Sequence, residues 1–366
     1  MLVVVKVGTS TLVGSGSSID HAYIRTLCEQ LASLVADGHR VILVSSGAAA
    51  AGRERLGFTS RPTDIPSLQA CAAAGQALLT EAYAEVFSEY GIPCAQVLLT
   101  RRDVVDREGY LNARNTFERL LELGAIPVVN ENDTVSVAEF AFGDNDMLGA
   151  IVSALVNADL YIICSDVQGL FTANPQRDPN AMLIDRVERI DAEVSQMAGG
   201  SGSSFGTGGM ATKLMAARAM IAAGIPTVIC QGREPSVVKR VVEGEQVGTR
   251  FEAPEGSSRE KAIKLWIGLA EVPQGSLVLD GGACRAVLER GASILPVGVI
   301  RSEGTFQAGD VVNVVSEKGD LLGRGVTRYS SDDIARVHGL KLEVIARFMP
   351  EKEGQPAVHR DELLVF

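Results

Sequence analysis

Short apolar runs alternate with amphipathic segments of helical period through roughly the first 260 residues of the chain. The runs are rich in β-branched residues and cover 2–7, 41–44, 95–99, 126–129, 160–164 and 227–230. Apolar runs of this length, separated by helical segments, are typical of parallel strands joined by crossover helices. The pattern therefore predicts an α/β sandwich with a largely parallel sheet.

The segment between the first two runs has a clear helical period. Apolar side chains from Ile24 to Val35 recur on one face, and Gly38 ends the pattern as a C-terminal cap glycine does. The same period predicts further helices over 68–87, 111–123, 145–156 and 212–223. Gly224 and Pro226 follow the last of these and mark its end.

The pattern changes after Arg250. Residues 252–258 show no periodicity and predict a loop. Beyond Pro273, short apolar runs between turns predict a small, mostly β barrel, with strands at 276–279, 297–300, 311–315, 321–326 and 342–345. Because 366 residues exceed one ordinary core, we expect a first domain over 1–260, a linker over 261–271 and a second domain over 272–366.

Composition and charge exclude several classes of protein. With 46% hydrophobic and 22% charged residues the chain is globular, and no apolar run approaches the roughly 18 residues of a membrane span. A net charge of -11 disfavours nonspecific binding to nucleic acid or to anionic membranes. The six cysteines are scattered without a C-x-x-C pair, which indicates buried thiols in a reducing compartment and predicts a cytoplasmic protein.

A glycine-rich loop, Gly206-Thr207-Gly208-Gly209, runs into the last predicted helix of the first domain and is followed by Lys213. Backbone N–H groups of such a loop, the N-terminus of the helix and a lysine together suit a polyphosphate. The spacing is not that of the usual P-loop. A flexible surface loop is the alternative interpretation.

Two further turns follow the first two predicted strands. They are Lys6-Val7-Gly8-Thr9-Ser10 and Ser45-Ser46-Gly47-Ala48. Ligands of α/β sheets lie outside the carboxyl ends of the strands, so these turns and the glycine-rich loop are expected to converge. Taken singly, Lys6 can be a solvated charge at a strand end and Ser46 a helix cap.

Three polar segments complete the candidate chemistry. Asn130-Glu131-Asn132-Asp133 follows the strand at 126–129, and Gly143-Asp144-Asn145-Asp146 opens a predicted helix. A turn after the strand at 160–164 begins with Ser165-Asp166 and contains Phe171, where a nucleotide base could rest. Carboxylates and amides at these positions can hold an ammonium group or Mg²⁺, but they are also common helix caps and turn formers.

Taken in order, these motifs resemble those of the amino-acid kinase family, and 272 to about 349 is similar to a PUA domain. The resemblance implies the three-layer α/β/α sandwich of that family and a PUA-like barrel. It is strongest to the branch that uses ATP to phosphorylate the γ-carboxylate of L-glutamate, giving L-glutamyl 5-phosphate in the first step of proline biosynthesis. The branch acting on acetylated glutamate more typically shows K-x-G-G, where this chain has Lys6-Val7-Gly8-Thr9.

The resemblance also implies roles for individual residues. Lys6 and Lys213 would flank the transferred phosphoryl group as catalytic residues, with Asp146 holding their ammonium groups. Ser46, Asp133 and Asn145 would bind glutamate. The implied ATP-binding set is Lys6, Ser165, Asp166, Thr207, Gly208, Gly209, Met210, Ala211, Thr212 and Lys213. Mg²⁺ would arrive with ATP, without direct ligation by side chains. The acceptor carboxylate is ionised near neutral pH, so no general base is expected.

Two residues depart from the family's pattern, and several partners follow from the resemblance. Phe171 stands where tyrosine is common and Asn174 where aspartate is more frequent, which leaves the contacts to the nucleotide base open. The resemblance implies feedback inhibition by proline, and a homo-oligomer is expected. A family member acting on another small carboxylate or phosphate is the nearest alternative.

An RNA-binding protein is the alternative of a different class, suggested by the PUA-like second domain. Five arginines could contact phosphates there: Arg285, Arg290, Arg301, Arg324 and Arg328. Against this, residues 273–366 contain 11 basic and 13 acidic residues and so have a net charge of -2.

Overall fold

The computed structural model describes residues 1–13, 18–100, 103–104, 107–135, 145–175, 177–197, 209–252 and 273–366. The chain divides into two units: Met1–Arg189 with Ser195–Ile221 and Ile225–Glu255, and Ile190–Val194 with Ala222–Gly224 and Gly256–Phe366. The predicted linker, 261–271, lies outside the described residues, so the domain limits at 260 and 272 stay predictions.

An eight-stranded sheet forms the centre of the first unit, in the order β3-β4-β2-β1-β5-β7-β8-β6. Its strands are parallel except for the β7–β8 pair. The strands are β1 (Leu2–Val7), β2 (Arg40–Ser45), β3 (Cys94–Leu99), β4 (Ile126–Glu131), β5 (Leu160–Ser165), β6 (Arg186–Val187), β7 (Thr227–Gln231) and β8 (Thr249–Phe251). β1 and β5 are buried along their whole length, as expected for central parallel strands covered on both faces.

Besides the helical residues 103–104, nine helices of five or more residues lie in the described part of the chain up to residue 252. They are α1 (Thr9–Val13), α2 (His21–Ala36), α3 (Ala48–Arg55), α4 (Ile65–Glu89), α5 (Arg107–Glu122), α6 (Asn145–Leu155), α7 (Ala192–Met197), α8 (Met210–Ala222) and α9 (Val237–Val242). Val3 and Val5 of β1 belong to the core that includes the apolar faces of α2 and α4. Because side chains alternate along a strand, Lys6 points to the other face of the sheet.

α6 packs against β1 and β5 and is buried along its whole length. Its first turn is apposed to the end of β1, which brings Asp146 to Lys6. Tyr161 of β5 donates its hydroxyl proton to the Asp146 carbonyl oxygen at 2.8 Å, which anchors the start of α6 to the sheet. The predicted α/β sandwich with a largely parallel sheet is confirmed.

The second unit contains a five-stranded sheet in the order β10-β9-β11-β12-β13. Its strands are β9 (Gly275–Leu279), β10 (Val299–Gly304), β11 (Val311–Ser316), β12 (Leu321–Thr327) and β13 (Val358–Val365), and its helices are α10 (Gly281–Arg290), α11 (Ser331–Val337) and α12 (Leu342–Ile345). The second unit has a separate core around Phe306 and Tyr329. Buried residues of all five strands and of α11 pack there, and β10 contributes Val299. The mostly β character of this region is confirmed.

One predicted strand of this unit is wrong, since 342–345 is the helix α12. Leu342, Ile345 and Met349 pack together on the core, and spacings of three and four residues are those of a helical face. A strand would instead have placed Val344 on the same face as Leu342, but Val344 is exposed. The predicted strand at 297–300 begins as a 3-10 turn, Pro296–Gly298, before β10 starts.

Candidate active site

Loops after three neighbouring strands meet at the carboxyl edge of the first unit's sheet. The backbone N–H of Gly8, after β1, donates to the Cys164 carbonyl of β5 at 3.3 Å. The N–H of Ser46, after β2, donates to the Val7 carbonyl at 3.2 Å. A β-carbon at Gly8 would lie 3.4 Å from Lys6 Nζ, so glycine leaves the space that the lysine head group uses. The expected convergence of the first two turns is therefore present.

A buried cluster of two lysines and one aspartate lies beside these loops. Lys6 Nζ is 2.5 Å from Asp146 Oδ1, and Lys213 Nζ is 3.0 Å from Asp146 Oδ2. Lys6 and Lys213 are 4% and 5% exposed, and Asp146 is fully buried. Two ammonium groups thus converge on one carboxylate in a poorly solvated place. Such an arrangement favours an anion beside the lysines.

A second cluster consists of hydroxyl and amide groups. It includes Asn145, the residue that precedes Asp146 in α6. The Asn145 side-chain N–H groups lie 2.8 Å from the Ser45 carbonyl, 2.7 Å from Asn130 Oδ1 and 3.0 Å from Ser46 Oγ. Ser45 Oγ is 2.9 Å from the Tyr83 hydroxyl, within hydrogen-bond distance. The structure thus brings together Ser46 and Asn145, two of the three residues predicted to bind glutamate. Asp133, the third, lies half-buried in the turn after β4.

A cavity of about 260 Å³ opens at the ends of β1, β5 and β7. Its lining residues are Ser10, Thr11, Ser165, Asp166, Gln231 and Arg233. Ser165 and Asp166 were predicted for ATP, and Ser165 Oγ donates to Asp166 Oδ1 at 3.0 Å. Gln231 and Arg233 were missed, although both follow a predicted strand at the same sheet edge. The rule that singled out Lys6 and Ser46 would have found them.

Arg233 ties the loop after β7 to the loop after β1. Its Nε donates to the Thr11 carbonyl at 3.0 Å, and its Nη1 donates to Asp20 Oδ2 at 2.8 Å. The guanidinium also lies over the Tyr23 ring, 4.9 Å from its centre. The pKa of Asp20 lies below its usual value because the Tyr23 backbone N–H and then Arg233 donate hydrogen bonds to the carboxylate.

The glycine-rich loop is described only from Gly209 onwards. Thr207 and Gly208 lie outside the described residues, as does Gly206. Gly209 accepts at its carbonyl from the Thr212 hydroxyl at 2.7 Å, at the start of α8. Met210, Ala211, Thr212 and Lys213 all belong to that first turn of α8, so the helix directs Lys213 to Asp146.

Phe171 and Asn174 belong to the irregular segment after β5. Phe171 forms an antiparallel bridge with Leu183, and the Asn174 carbonyl accepts from the N–H groups of Arg177 and Asp178 at 2.9 Å each. In the described ranges no three His, Cys, Asp or Glu side chains gather as a metal site. Among the same residues, no helix has the length and apolar character to cross a membrane.

Comparisons with known proteins match both parts of the chain to known families. The amino acid kinase family matches residues 1–231, and the PUA domain matches residues 275–349. The chain is 46% identical to the glutamate 5-kinase of Deinococcus radiodurans over 100% of both chains. It is 44% identical to that of Trichlorobacter lovleyi, over 99% of this chain and 96% of the relative.

Among solved structures, the UMP kinase of Ureaplasma parvum covers 69% of this chain and 98% of its own, with a TM-score of 0.49 at 14% identity. The two full-length relatives and the two matched domains establish the family. The chain belongs to the amino acid kinase family and, within it, to the glutamate 5-kinases with a C-terminal PUA domain.

Proposed function

We propose that this chain transfers the γ-phosphoryl group of ATP to the γ-carboxylate of L-glutamate and so forms L-glutamyl 5-phosphate, the first step of proline biosynthesis. The observation that carries the proposal is the cluster of Lys6, Asp146 and Lys213, in a chain with full-length similarity to glutamate 5-kinases. The two ammonium groups, held by one carboxylate, offer positive charge where phosphoryl oxygens would lie.

The chemistry of phosphoryl transfer fits these residues. Transfer needs an in-line acceptor and neutralisation of the charge on the phosphoryl oxygens, with little covalent help from the protein. Lys6 and Lys213 would flank the transferred group, and Asp146 would keep them in position between turnovers. A glutamate γ-carboxylate is already ionised near neutral pH, so it attacks without a general base.

Glutamate is proposed to lie beside Ser46, Asn145 and Asp133. The Ser46 hydroxyl suits a carboxylate, and the Asp133 carboxylate suits the substrate ammonium. Asn145 precedes Asp146 in α6, so the acceptor would lie next to the two lysines. ATP would occupy the cavity bordered by Ser165 and Asp166, with Gly209 to Lys213 and the preceding Thr207 and Gly208 on its phosphates.

Mg²⁺ is proposed to enter with ATP. Both carboxylate oxygens of Asp146 face ammonium groups and are poorly placed to accept a metal. A Mg²⁺ ion on ATP phosphates needs at most one or two protein carboxylates, and Asp166 is the acidic residue among those that line the cavity. The ion would neutralise phosphate charge that the lysines do not reach.

Three further proposals concern regulation, assembly and location. Proline is expected to inhibit by overlapping the glutamate site, so it should raise the apparent KM for glutamate and leave kcat unchanged.

A homo-oligomer is expected and can be tested by sedimentation equilibrium. The reaction is placed in the cytoplasm, which is supported by six cysteines that are all unpaired thiols.

A substrate panel tests the function. Each of glutamate, N-acetylglutamate and aspartate is incubated with ATP and Mg²⁺, and acyl phosphate is trapped as hydroxamate. We expect product with glutamate. Product with either other acceptor and none with glutamate would overturn the proposal.

Lys213→Ala should lower kcat by about 10²- to 10³-fold, because it removes charge that stabilises the transition state. Lys239→Ala, a partly exposed lysine on α9, is the matched control.

A further inference from the structure

A chain of buried amide side chains runs from the middle of α4 to the start of α6. Asn145 Nδ2 donates to Asn130 Oδ1 at 2.7 Å, and Asn130 Nδ2 donates to Gln76 Oε1 at 2.7 Å. Gln76 Nε2 then donates to Thr80 Oγ1 at 3.2 Å. The three amides are 9% exposed or less. Gln76 and Thr80 belong to α4, whereas Asn130 belongs to β4.

We call this chain of hydrogen-bonded side chains, from Thr80 to Asn145, the relay. The contacts at its two ends agree with one and the same orientation of every amide. At one end the Thr80 hydroxyl faces two acceptors, the Gln76 backbone carbonyl at 2.9 Å and Gln96 Oε1 at 3.3 Å, and with its proton on either of them its oxygen accepts from the Gln76 amide nitrogen. At the other end Asn145 Nδ2 faces the Ser45 carbonyl at 2.8 Å, which can only accept. Turning any one amide over would set two donors or two acceptors against each other.

The orientation decides what the site presents to a ligand. Both N–H bonds of Asn145 point to the Ser45 carbonyl and to Asn130 Oδ1, which leaves Oδ1 of Asn145 as an acceptor. Ser46 Oγ lies 3.0 Å from the Asn145 nitrogen, which is no acceptor, so the hydroxyl proton of Ser46 must point elsewhere. In the described part of the chain no group accepts that proton. The relay therefore presents a hydroxyl donor and an amide acceptor side by side.

We propose that Gln76 and Thr80 are positioning residues that set this donor–acceptor polarity through Asn130 and Asn145. The inference rests on the function proposed above, in which Ser46 and Asn145 bind glutamate. Neither Gln76 nor Thr80 needs to touch the substrate. Without the Gln76 acceptor, the Asn130 amide is left with a buried unsatisfied donor, and the Ser45 carbonyl is then the one fixed acceptor that still holds the orientation of Asn145. Glutamate binding should weaken, and ATP binding should not.

The first experiment compares Gln76→Met with Gln30→Met. Gln30 is a matched control, since it is also a buried glutamine on a helix of the first unit and its amide contacts Thr26 and Val238 instead. For Gln76→Met we expect the KM for glutamate to rise about tenfold, with the KM for ATP within about twofold of wild type. Gln30→Met should leave both KM values unchanged at a similar loss of stability.

A second pair tests the end of the relay. Thr80→Val removes the hydroxyl that fixes the Gln76 amide, and Thr80→Ser retains it. We expect Thr80→Val to raise the KM for glutamate and Thr80→Ser to restore it. The rise in unfolding temperature caused by glutamate should shrink in Thr80→Val, while the rise caused by ATP should persist. This pair decides the question if Gln76→Met does not fold.

The outcomes separate the two proposals. If the wild-type protein has no activity on glutamate, the proposed function is wrong, whatever the variants show. Active wild-type protein with unchanged glutamate KM in both Gln76→Met and Thr80→Val would overturn the relay. Equal increases in the KM for glutamate and for ATP would also overturn it, because a general loss of structure moves both.

Discussion

At the scale of single residues, the ion cluster joins three elements of the first unit. Asp146 is fully buried between the ammonium groups of Lys6 and Lys213, and the three residues come from β1, α6 and α8. A buried charge is tolerated only when it is compensated. The ion pairs that a substitution removes should therefore decide much of its cost in stability.

Asp146→Asn should destabilise the protein more than Lys6→Met does. The first change removes the carboxylate that both ammonium groups contact, and removing one partner of a buried ion pair costs about 3 to 5 kcal/mol. The second leaves the Lys213–Asp146 ion pair in place. Urea unfolding of both variants measures the difference. Adding Lys6→Met to Asp146→Asn should recover part of the lost stability, and a strictly additive loss would contradict this electrostatic account.

Sequence reasoning reached this cluster because each lysine lies in a recognisable turn or loop. Lys6 lies at the end of a predicted strand, next to a turn, and Lys213 follows a glycine-rich segment. Gln76 was not identified, since it lies inside a long helix and nothing in its neighbours marks it. Its role comes from Asn130, 54 positions away in the chain. Pairings of that separation are set by the packing of α4 on the sheet and have no local pattern.

At the scale of elements, α3 and α4 cross with their backbones in contact. A β-carbon on Gly75 would lie 1.9 Å from the Ala48 carbonyl oxygen, and one on Gly52 would lie 1.9 Å from that of Cys71. No rotamer change can relieve an overlap with backbone. The two glycines thus fix the position of α4, and with it the position of Gln76.

Gly75→Ala is expected to lower the free energy of unfolding by more than about 2 kcal/mol, near the upper range for overpacking. The closest contact is a backbone oxygen, so α4 must shift. The KM for glutamate should rise as Gln76 moves with it. Gly281→Ala is the control, because its β-carbon would find its nearest neighbour at 3.9 Å. Urea denaturation and steady-state kinetics of both variants measure the effects, and equal stability of the two would contradict the packing account.

The N-terminus of α2 should make stability depend on pH. Asp20 caps this helix by accepting from the Tyr23 N–H, and its pKa is lowered from 3.8 by that bond and then by Arg233. A pKa that is lower in the folded state adds stability above about 3.8, and this contribution is lost as the pH falls through the folded value. Asp20→Asn retains a cap without the charge. Wild type should exceed Asp20→Asn in unfolding free energy at pH 6, and the gap should shrink toward pH 3.

Secondary structure was predictable where the apolar period was unambiguous. β1, β5 and α2 have uninterrupted patterns and were placed within a few residues. The run at 342–345 was too short to distinguish a helical turn from a strand. β13 was missed because His359 to Glu362 place charged and polar groups in its middle, and its buried positions are Val358, Leu363 and Leu364. Tertiary pairing with β12 makes it a strand.

At the scale of the whole molecule, the distribution of charge bears on the second unit. Three of the five arginines considered for RNA are already engaged. Arg301 pairs with Glu303 at 2.9 Å, Arg328 pairs with Glu362 at 3.1 Å, and Arg324 is mostly buried with its Nε donating to Asn313. A phosphate would have to displace these carboxylates. The contacts of these arginines are therefore a local reason to expect weak RNA binding. The net charge of -11 is a second reason, at the scale of the whole chain.

The full-length protein is expected to bind RNA weakly, with a dissociation constant no tighter than about 10⁻⁵ M near physiological salt, in the range of nonspecific binding. The double variant Glu303→Gln with Glu362→Gln should bind more tightly and with a steeper salt dependence, since it releases two arginines and removes two negative charges. Fluorescence anisotropy with a labelled single-stranded RNA, at 50 and 200 mM salt, measures both constants. Tight, salt-sensitive binding by the wild-type chain would show that the second unit recognises RNA through other residues. Equal, weak binding by both proteins would mean that these arginines face no common phosphate path.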